Sequence, residues 1–313
     1  MYIRRGERGY MKYQFAAFVM IAALAPQAMA QQAPVPTAAA AAPRPPAPLA
    51  VKLIRDNVYW APGGVGGNSG VIVGDTGVVV IDAKQTADTA KEMIDKIGQI
   101  TPKPITDIIL TGYGGEGIPG LAAFPAGIKI HAHADTVTGL KTLKARDAKN
   151  RAPDDKMPND ILAGDRKLLK LDGVRMVFLH LAPSHTAGES AVYLPDQRIV
   201  FTGFITQAKP DFPVVHPDGG GSAQGWMAFM KALINLDADT YVIGVGDIWT
   251  KSDMEQRLAA QKAVYAKIND MVAAGKSRDE IRAALGTNAG RGPQIYMFSE
   301  VAYDEITKPA GKK

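Results

Sequence analysis

The chain has 313 residues, of which 46% are hydrophobic and 21% are charged. This balance is typical of a folded globular protein and excludes an intrinsically disordered chain. The formal net charge is +5, but residues 1–30 contribute +3 of it (four basic residues against Glu7), which leaves +2 for the rest. So small a charge, without a basic stripe interleaved with aromatic residues, excludes nucleic acid as a partner. Because there is no cysteine, disulfides and thiolate metal sites are excluded as well.

The first 30 residues have the pattern of an export signal. A basic opening precedes an apolar run at 15–25, and residues 28–30 supply the small side chains of a cleavage site before Gln31. We therefore predict a signal peptide at 1–30, with translation starting at Met1 or Met11, and a periplasmic or secreted protein. The alternative is an N-terminal membrane anchor, for which the apolar run is short. No transmembrane span is expected in the mature chain.

Residues 31–50 are rich in proline and alanine and predict an extended tether. The folded domain is predicted at 51–307, followed by a C-terminal tail at 308–313. At the start of the domain, β-rich runs at 70–73 and 78–81 flank a turn at 74–77, which predicts a hairpin. Apolar spacing then predicts a helix from Thr86, its N-cap, to Ile97.

The rest of the domain mixes strands with helices. Strands are predicted at 105–110, 128–131, 174–181, 191–194 and 198–201, and helices at 134–145, 223–236, 252–274 and 277–285. Ser277 and Glu280 are spaced as a capping box for the last helix. This pattern predicts two sheets covered by helices on the outside.

Six blocks of sequence share the order and spacing of the motifs of one known family. They lie at 68–70 with 81–82, 111–124, 130–133, 183–189, 200–204 and 242–246. Together they resemble the metallo-β-lactamase-fold hydrolases over residues 52–285. The resemblance implies an α/β fold of the αββα type, in which two mixed β-sheets are flanked by helices.

The resemblance also implies where the metal ligands of that family would lie. The segment 111–117 reads Thr-Gly-Tyr-Gly-Gly-Glu-Gly where the family has Thr-His-x-His-x-Asp-His. The seven ligand positions fall on Gly112, Gly114, Glu116, Gly117, His185, Phe204 and Val245. His185 alone keeps the family residue, and Glu116 is a longer carboxylate in place of aspartate. Since a catalytic zinc needs about three protein ligands, we predict a degenerate site with no metal and no cofactor.

Seven residues are predicted to surround the altered pocket under the family geometry: Tyr113, Glu116, His185, Asp82, Lys84, Phe204 and His216. His185 and Glu116 are the residual candidates for catalysis. One alternative is a rebuilt metal site of His185, Glu116 and His216, which the spacing does not demand. The glycines at 112–117 are compatible with an anion-binding nest, although loss of selection for metal explains them more simply.

The remaining histidines are interpreted as structural. His131 and His133 lie along or just past a strand, and only one of them is expected to face the pocket. His180 lies in the strand that leads to His185 and is interpreted as packing around the site.

These observations predict an exported pseudoenzyme of this fold that binds a small molecule or a protein partner. The alternative is a hydrolase of an ester, lactone or β-lactam that uses a rearranged mononuclear or a metal-free site, and zinc is expected only in that case. A third alternative is a purely structural subunit.

Overall fold

The computed structural model describes residues 46–146, 151–181, 183–209, 211, 213–286 and 297–308. The predicted signal peptide, most of the predicted tether and the tail beyond Lys308 lie outside these residues. Leu49 is buried, and Ala50 N donates a hydrogen bond to Pro62 O at 3.0 Å. The packed chain therefore includes residues just before the predicted domain start at Val51. Within the described ranges, no helix is both long enough and apolar enough to cross a bilayer.

The first half of the chain forms a seven-stranded sheet whose strands lie side by side in chain order. The strands are β1 (Lys52–Arg55), β2 (Val58–Ala61), β3 (Ser69–Val73), β4 (Val78–Ile81), β5 (Ile105–Ile109), β6 (Lys129–His133) and β7 (Asp160–Leu162). β1 to β4 pair antiparallel, and β4 to β7 pair parallel. The predicted hairpin is confirmed, because Val73 pairs with Val78 and Gly74 N donates to Gly77 O at 2.9 Å.

The second half forms a six-stranded sheet in the order β13-β12-β11-β10-β9-β8. Its strands are β8 (Arg166–Leu171), β9 (Val174–Leu179), β10 (Ala191–Leu194), β11 (Ile199–Gln207), β12 (Thr240–Val245) and β13 (Trp249–Thr250). β11 and β12 pair parallel and the other neighbours antiparallel.

Six α-helices are found in the described residues. They are α1 (Ala87–Ile100), α2 (Ala134–Arg146), α3 (Ala223–Ile234), α4 (Lys251–Ala273), α5 (Arg278–Leu285) and α6 (Phe298–Thr307). Thr86 caps α1 by accepting a hydrogen bond from Thr89 N, as the sequence predicted. The capping box of Ser277 and Glu280 at α5 is also confirmed. Short 3₁₀ segments lie at Pro119–Ala123, Asp154–Lys156 and Pro217–Gly219.

Three layers of buried apolar residues hold these elements together. One layer lies between the sheets and includes Trp60, Ile81 and Phe201. A second packs α1 on the first sheet through Met93, and a third packs α3 and α6 on the second sheet through Trp226. The expected αββα sandwich is confirmed.

The strands that the sequence did not predict are mostly sheet edges. β1 and β7 border the first sheet, and β8 and β13 border the second. β1, β7 and β13 are short, and β8 is longer but mostly exposed, with Leu168 70% exposed. An edge strand buries few side chains, so its alternation of polar and apolar residues is weak.

Candidate functional site

A cavity of about 390 Å³ lies at the carboxyl ends of β5 and β6, between the 113–116 loop, α2 and the loops at 185–187 and 216–219. Ligands commonly bind at this end of the strands in α/β proteins. Four of the predicted pocket residues line the cavity: Tyr113, Glu116, His185 and His216. The other three, Asp82, Lys84 and Phe204, are not among the lining residues. A larger and more open groove lies near the amino ends of β5 and β6, and its lining includes none of the predicted site residues.

Asp82 follows β4 and lies beneath the 111–117 loop. Its Oδ1 accepts a hydrogen bond from Thr111 N at 2.9 Å, and its Oδ2 accepts one from Thr111 Oγ1 at 2.5 Å. Burial raises the pKa of Asp82 to about 6, although the two bonds from Thr111 oppose the shift. Its φ of 58° is left-handed, a conformation that costs a non-glycine residue about 1–2 kcal/mol. The bonds from Thr111 offset that cost, so Asp82 supports the loop.

Lys84 is fully buried, and its ammonium group is bound by backbone carbonyls. Nζ donates hydrogen bonds to the carbonyl oxygens of Ala61 at 2.5 Å, Gly63 at 3.2 Å and Gly67 at 2.7 Å. Burial lowers the pKa of Lys84 to about 8, and the nearby Asp82 opposes this. Lys84 therefore links the end of β4 to the loop between β2 and β3.

Asn68 links the same loop to the second sheet. Its Nδ2 donates to Ile243 O at 2.8 Å and to Gly246 O at 2.7 Å, and its backbone N–H donates to Gly244 O at 2.8 Å. Next to it, Gly67 N donates to Glu116 O at 3.0 Å. Hydrogen bonds thus fix the loops around the site to one another.

The glycines at the former ligand positions make room for carboxylates. None of Gly112, Gly114 and Gly117 has a left-handed φ, so the backbone does not require glycine at these positions. A Cβ on Gly112 would lie 3.0 Å from Glu189 Oε1, and one on Gly114 would lie 2.8 Å from Glu116 Oε2. Neighbouring carboxylates repel an anion, and the left-handed residue of many nests is missing here, so the structure does not favour the nest interpretation.

Glu189 is the buried member of this carboxylate group, and the sequence reasoning did not single it out. Its Oε2 accepts short hydrogen bonds from Thr186 N and Thr186 Oγ1. Burial raises the pKa of Asp82, and the charge of Glu189 adds to this shift.

Phe204 fills space beside His185 and the 62–68 loop. Its ring centroid lies 6.5 Å from that of His185, and its side chain is buried. A Cβ on Gly67 would lie 2.4 Å from Phe204 Cζ and 2.9 Å from Gly244 O. Glycine at 67 is therefore the residue that leaves room for the aromatic ring.

His185 and His216 form the aromatic side of the cavity. Their rings meet edge to face with centroids 4.8 Å apart. His185 Nδ1 lies 2.9 Å from Val214 O, and since a carbonyl only accepts, in the neutral ring Nδ1 carries the proton and Nε2 has a lone pair. Burial lowers the pKa of His216, and the nearby His185 adds to the shift. Both rings are thus suited to hydrogen bonding with a neutral or cationic group.

Tyr113 lies in a cradle of three glycines. A Cβ on Gly139, Gly188 or Gly219 would lie 2.2, 2.6 or 2.5 Å from the nearest Tyr113 atom. The hydroxyl also donates to Gly219 O at 3.1 Å. Close packing against the three glycines therefore fixes the Tyr113 ring in place, where it lines one side of the cavity.

The residues at the family's metal position do not fit a zinc ion. The side chains of Phe204 and Val245 have no atom that can coordinate a metal, and the glycines have no side chain. Val245 is also 41% exposed, at the end of β12. The rebuilt site of His185, Glu116 and His216 is not assembled either: in the described part of the chain, the ligand atoms of these residues do not form a compact group of three. Ser184 is fully buried, so it does not offer a nucleophile to the cavity.

One group of three potential ligands does converge in the described residues, beside the cavity. It consists of His133, Asp135 and His180, whose ligand atoms lie within 4.8 Å of one another. Neither His131 nor His133 lines the cavity. His131 is held between Asp160 Oδ2 at 2.6 Å and Asp107 Oδ1 at 2.7 Å. The sequence signal for the group was the His-x-Asp spacing at 133–135, but nothing in the sequence placed His180 beside it.

Comparison with known proteins agrees with this fold. The family model described as the metallo-beta-lactamase superfamily matches residues 62–245, which is more than half of the chain. The chain belongs to the metallo-β-lactamase superfamily. A curated relative, the alpha subunit of 2,4-dinitroanisole O-demethylase from Nocardioides sp. (strain JS1661), is 28% identical over 93 residues, which is 30% of this chain and 27% of that protein.

Two solved structures show the same fold at low sequence identity. The stereoselective inverting sec-alkylsulfatase Pisa1 from Pseudomonas sp. has a TM-score of 0.62 and 18% identity, covering 85% of this chain and 51% of that protein. A metallo-beta-lactamase from Pontibacter korlensis has a TM-score of 0.57 and 18% identity, covering 69% of this chain and 99% of that one. This superfamily member thus spans about half of the alkylsulfatase and about a quarter of the demethylase subunit.

We predict that Asp82 makes folding stability fall as the pH rises from about 4 to 6. A carboxyl whose pKa is raised in the folded state stabilises the fold below its unfolded pKa of 3.8, and this contribution is lost as the pH rises through about 6. Comparing urea denaturation of the wild type and Asp82→Asn across this range isolates the effect. The free energy of unfolding of the wild type minus that of Asp82→Asn should fall by about 3 kcal/mol at most as the pH rises. A difference that is flat or rises with pH would contradict the assignment.

We also predict that Gly67 and Phe204 are energetically coupled. Gly67→Ala should destabilise the wild type by about 1–3 kcal/mol because its methyl group meets the Phe204 ring. In a Phe204→Ala background the same change should cost less, since the ring is gone. The matched control is Gly98→Ala in α1, where a Cβ meets no atom within 4 Å, and it should stabilise the fold by about 0.5–1 kcal/mol. The measurement is a double-mutant cycle of free energies of unfolding from urea denaturation. If Gly67→Ala lowers the free energy of unfolding equally in both backgrounds, the coupling is refuted.

Proposed function

We propose that this superfamily member is an exported pseudoenzyme that binds a small, neutral or cationic molecule in the altered cavity. The observation that carries the proposal is the charge of the lining. Glu116, Asp135 and Asp218 contribute three carboxylates, and the lining includes no lysine or arginine. A cavity of about 390 Å³ is within the size range of small-molecule sites.

The lining also offers hydrogen-bond acceptors. His185 Nε2 keeps a lone pair because Nδ1 is held by Val214 O. The carboxylate of Glu116 accepts hydrogen bonds when ionised. A ligand with N–H or O–H donors, and with no negative charge, matches these groups.

A ligand set of equal size and different charge tests the proposal. Benzamidine, benzamide and benzoate are matched probes, and their binding can be compared by NMR titration or thermal shift. We expect the cation to bind best and the anion worst, and Glu116→Gln to reduce the preference for the cation several-fold. Glu255→Gln, on the exposed face of α4, is the control and should leave the preference unchanged. Tightest binding by benzoate would overturn the proposal.

The second candidate function is a hydrolase of an ester, lactone or β-lactam. The observation that favours it is the lone pair of His185 Nε2 at the cavity, which is suited to a general base. The fold shared with a sec-alkylsulfatase supports the same class of reaction. A substrate screen decides between the two: turnover that is abolished by His185→Ala or Glu116→Ala establishes the hydrolase and rejects the pseudoenzyme.

Export is part of the proposal and rests on the apolar run at 15–25 and the small residues at 28–30. We expect the mature protein, expressed in a bacterial host, to begin at Gln31 when its N-terminus is sequenced. Ala30→Leu should block this cleavage, because a large residue does not fit the small-residue site. Recovery of the intact N-terminus in the membrane fraction of the unaltered protein would instead support an anchor.

A further inference from the structure

Three side chains beside the cavity converge on one point. His133 is the last residue of β6, Asp135 lies in the first turn of α2, and His180 follows β9. The two imidazole rings are stacked, with centroids 3.6 Å apart and an angle of 16° between their planes. Both histidines are largely buried, whereas the Asp135 side chain is 54% exposed. The group is thus anchored in the fold and open to solvent on one side.

The hydrogen bonds of the two rings fix which nitrogens carry protons. His180 Nδ1 lies 2.9 Å from Glu189 O and donates to it, so in the neutral ring Nε2 has a lone pair. His133 Nδ1 accepts a hydrogen bond from Asp135 N at 3.2 Å, so this nitrogen also has a lone pair, and a metal ion bound there would replace that N–H as its partner. The outer hydrogen bond from a ligating histidine to a carbonyl is the usual support of a metal ligand.

Both ring nitrogens lie near the same carboxylate oxygen. Asp135 Oδ2 is 3.2 Å from His180 Nε2 and 3.4 Å from His133 Nδ1. Three acceptors at these distances repel one another unless a cation lies between them. For metal–ligand bonds of about 2.1 Å and tetrahedral angles, neighbouring ligand atoms lie about 3.3–3.5 Å apart. The two separations that involve Asp135 Oδ2 are close to these values, and all three ligand atoms lie within 4.8 Å of one another.

We propose that His133, Asp135 and His180 bind a divalent transition-metal ion such as Zn²⁺ at the rim of the cavity, away from the family's metal position. Imidazole and carboxylate ligands suit zinc, and three protein ligands leave one position open for water. Because an ion lies near the plane of each imidazole that binds it, the stacked rings tilt apart on binding. Asp135 also lines the cavity, so the open position lies at its rim.

Cobalt titration of the untagged mature protein, after treatment with a chelator, tests the site without any need for activity. Tetrahedral Co²⁺ gives intense visible absorption, and Zn²⁺ should displace it at one equivalent. In the cobalt form, the His180 Nδ1 and His133 Nε2 protons should give paramagnetically shifted NMR signals. Asp135→Asn, which preserves the size of an exposed side chain, should weaken binding by more than about 100-fold, beyond the 10–100-fold typical of a lost outer hydrogen bond. His133→Gln and His180→Gln should do the same.

Glu255→Gln and Asp270→Asn are the matched controls, because both change exposed carboxylates of α4 outside the cavity, and both should keep the cobalt affinity. Circular dichroism checks that each variant is folded. The proposal is overturned if Co²⁺ gives no absorption band, if Asp135→Asn binds as well as the wild type, or if the controls lose as much affinity as the ligand variants. It is also overturned if NMR shows a proton on His180 Nε2 that excess Zn²⁺ does not displace. That proton, and not a metal ion, would then lie between His180 Nε2 and the Asp135 carboxylate.

Discussion

The ammonium group of Lys84, bound by three backbone carbonyls, is the interaction on which the architecture of the site depends. It holds the loop between β2 and β3 against the end of β4, and that loop in turn positions Gly67 and Asn68. From there, Asn68 reaches the second sheet and Gly67 binds the backbone of Glu116. In a chain whose family ligand positions do not fit zinc, these hydrogen bonds supply the cross-links between loops. Breaking a buried charged interaction of this kind is among the most destabilising changes a fold can undergo.

The same organisation determines the electrostatics of the cavity. Glu189 and Asp82 lie buried under the glycine loop, while Glu116, Asp135 and Asp218 reach the cavity itself. A dinuclear metal centre would neutralise such a concentration of negative charge, and at the family position no ligand set is available to hold one. Burial, with a smaller contribution from the charge of Glu189, raises the pKa of Asp82 to about 6, so part of the charge is removed by protonation near that pH. The three carboxylates of the cavity lining are the basis of the proposed preference for neutral and cationic ligands.

The sequence predicted the fold well because its signals were local. The cap at Thr86, the turn at 74–77 and the capping box at 277–280 each involve residues within a few positions of one another. The family resemblance of six ordered blocks also implied which positions correspond to the family's metal ligands, and that assignment stays a prediction. Contacts between distant residues were not predictable in this way. Nothing in the sequence places His180 against His133 or Glu189 under Gly112, because these contacts depend on how the two sheets meet. The Lys84 side chain is buried among the carbonyls of the loop between β2 and β3, away from the cavity, because of the path of that loop, which its sequence did not predict.

The contact between Phe204 and Gly67 limits how this site could be re-engineered. An aspartate at 204 would leave the volume of the ring unfilled and bury a charge in its place. A residue larger than glycine at 67 would meet both the Phe204 ring and the backbone oxygen of Gly244. Installing a carboxylate at 204 therefore requires compensating changes in the surrounding loops, because a single replacement leaves both a void and a buried charge.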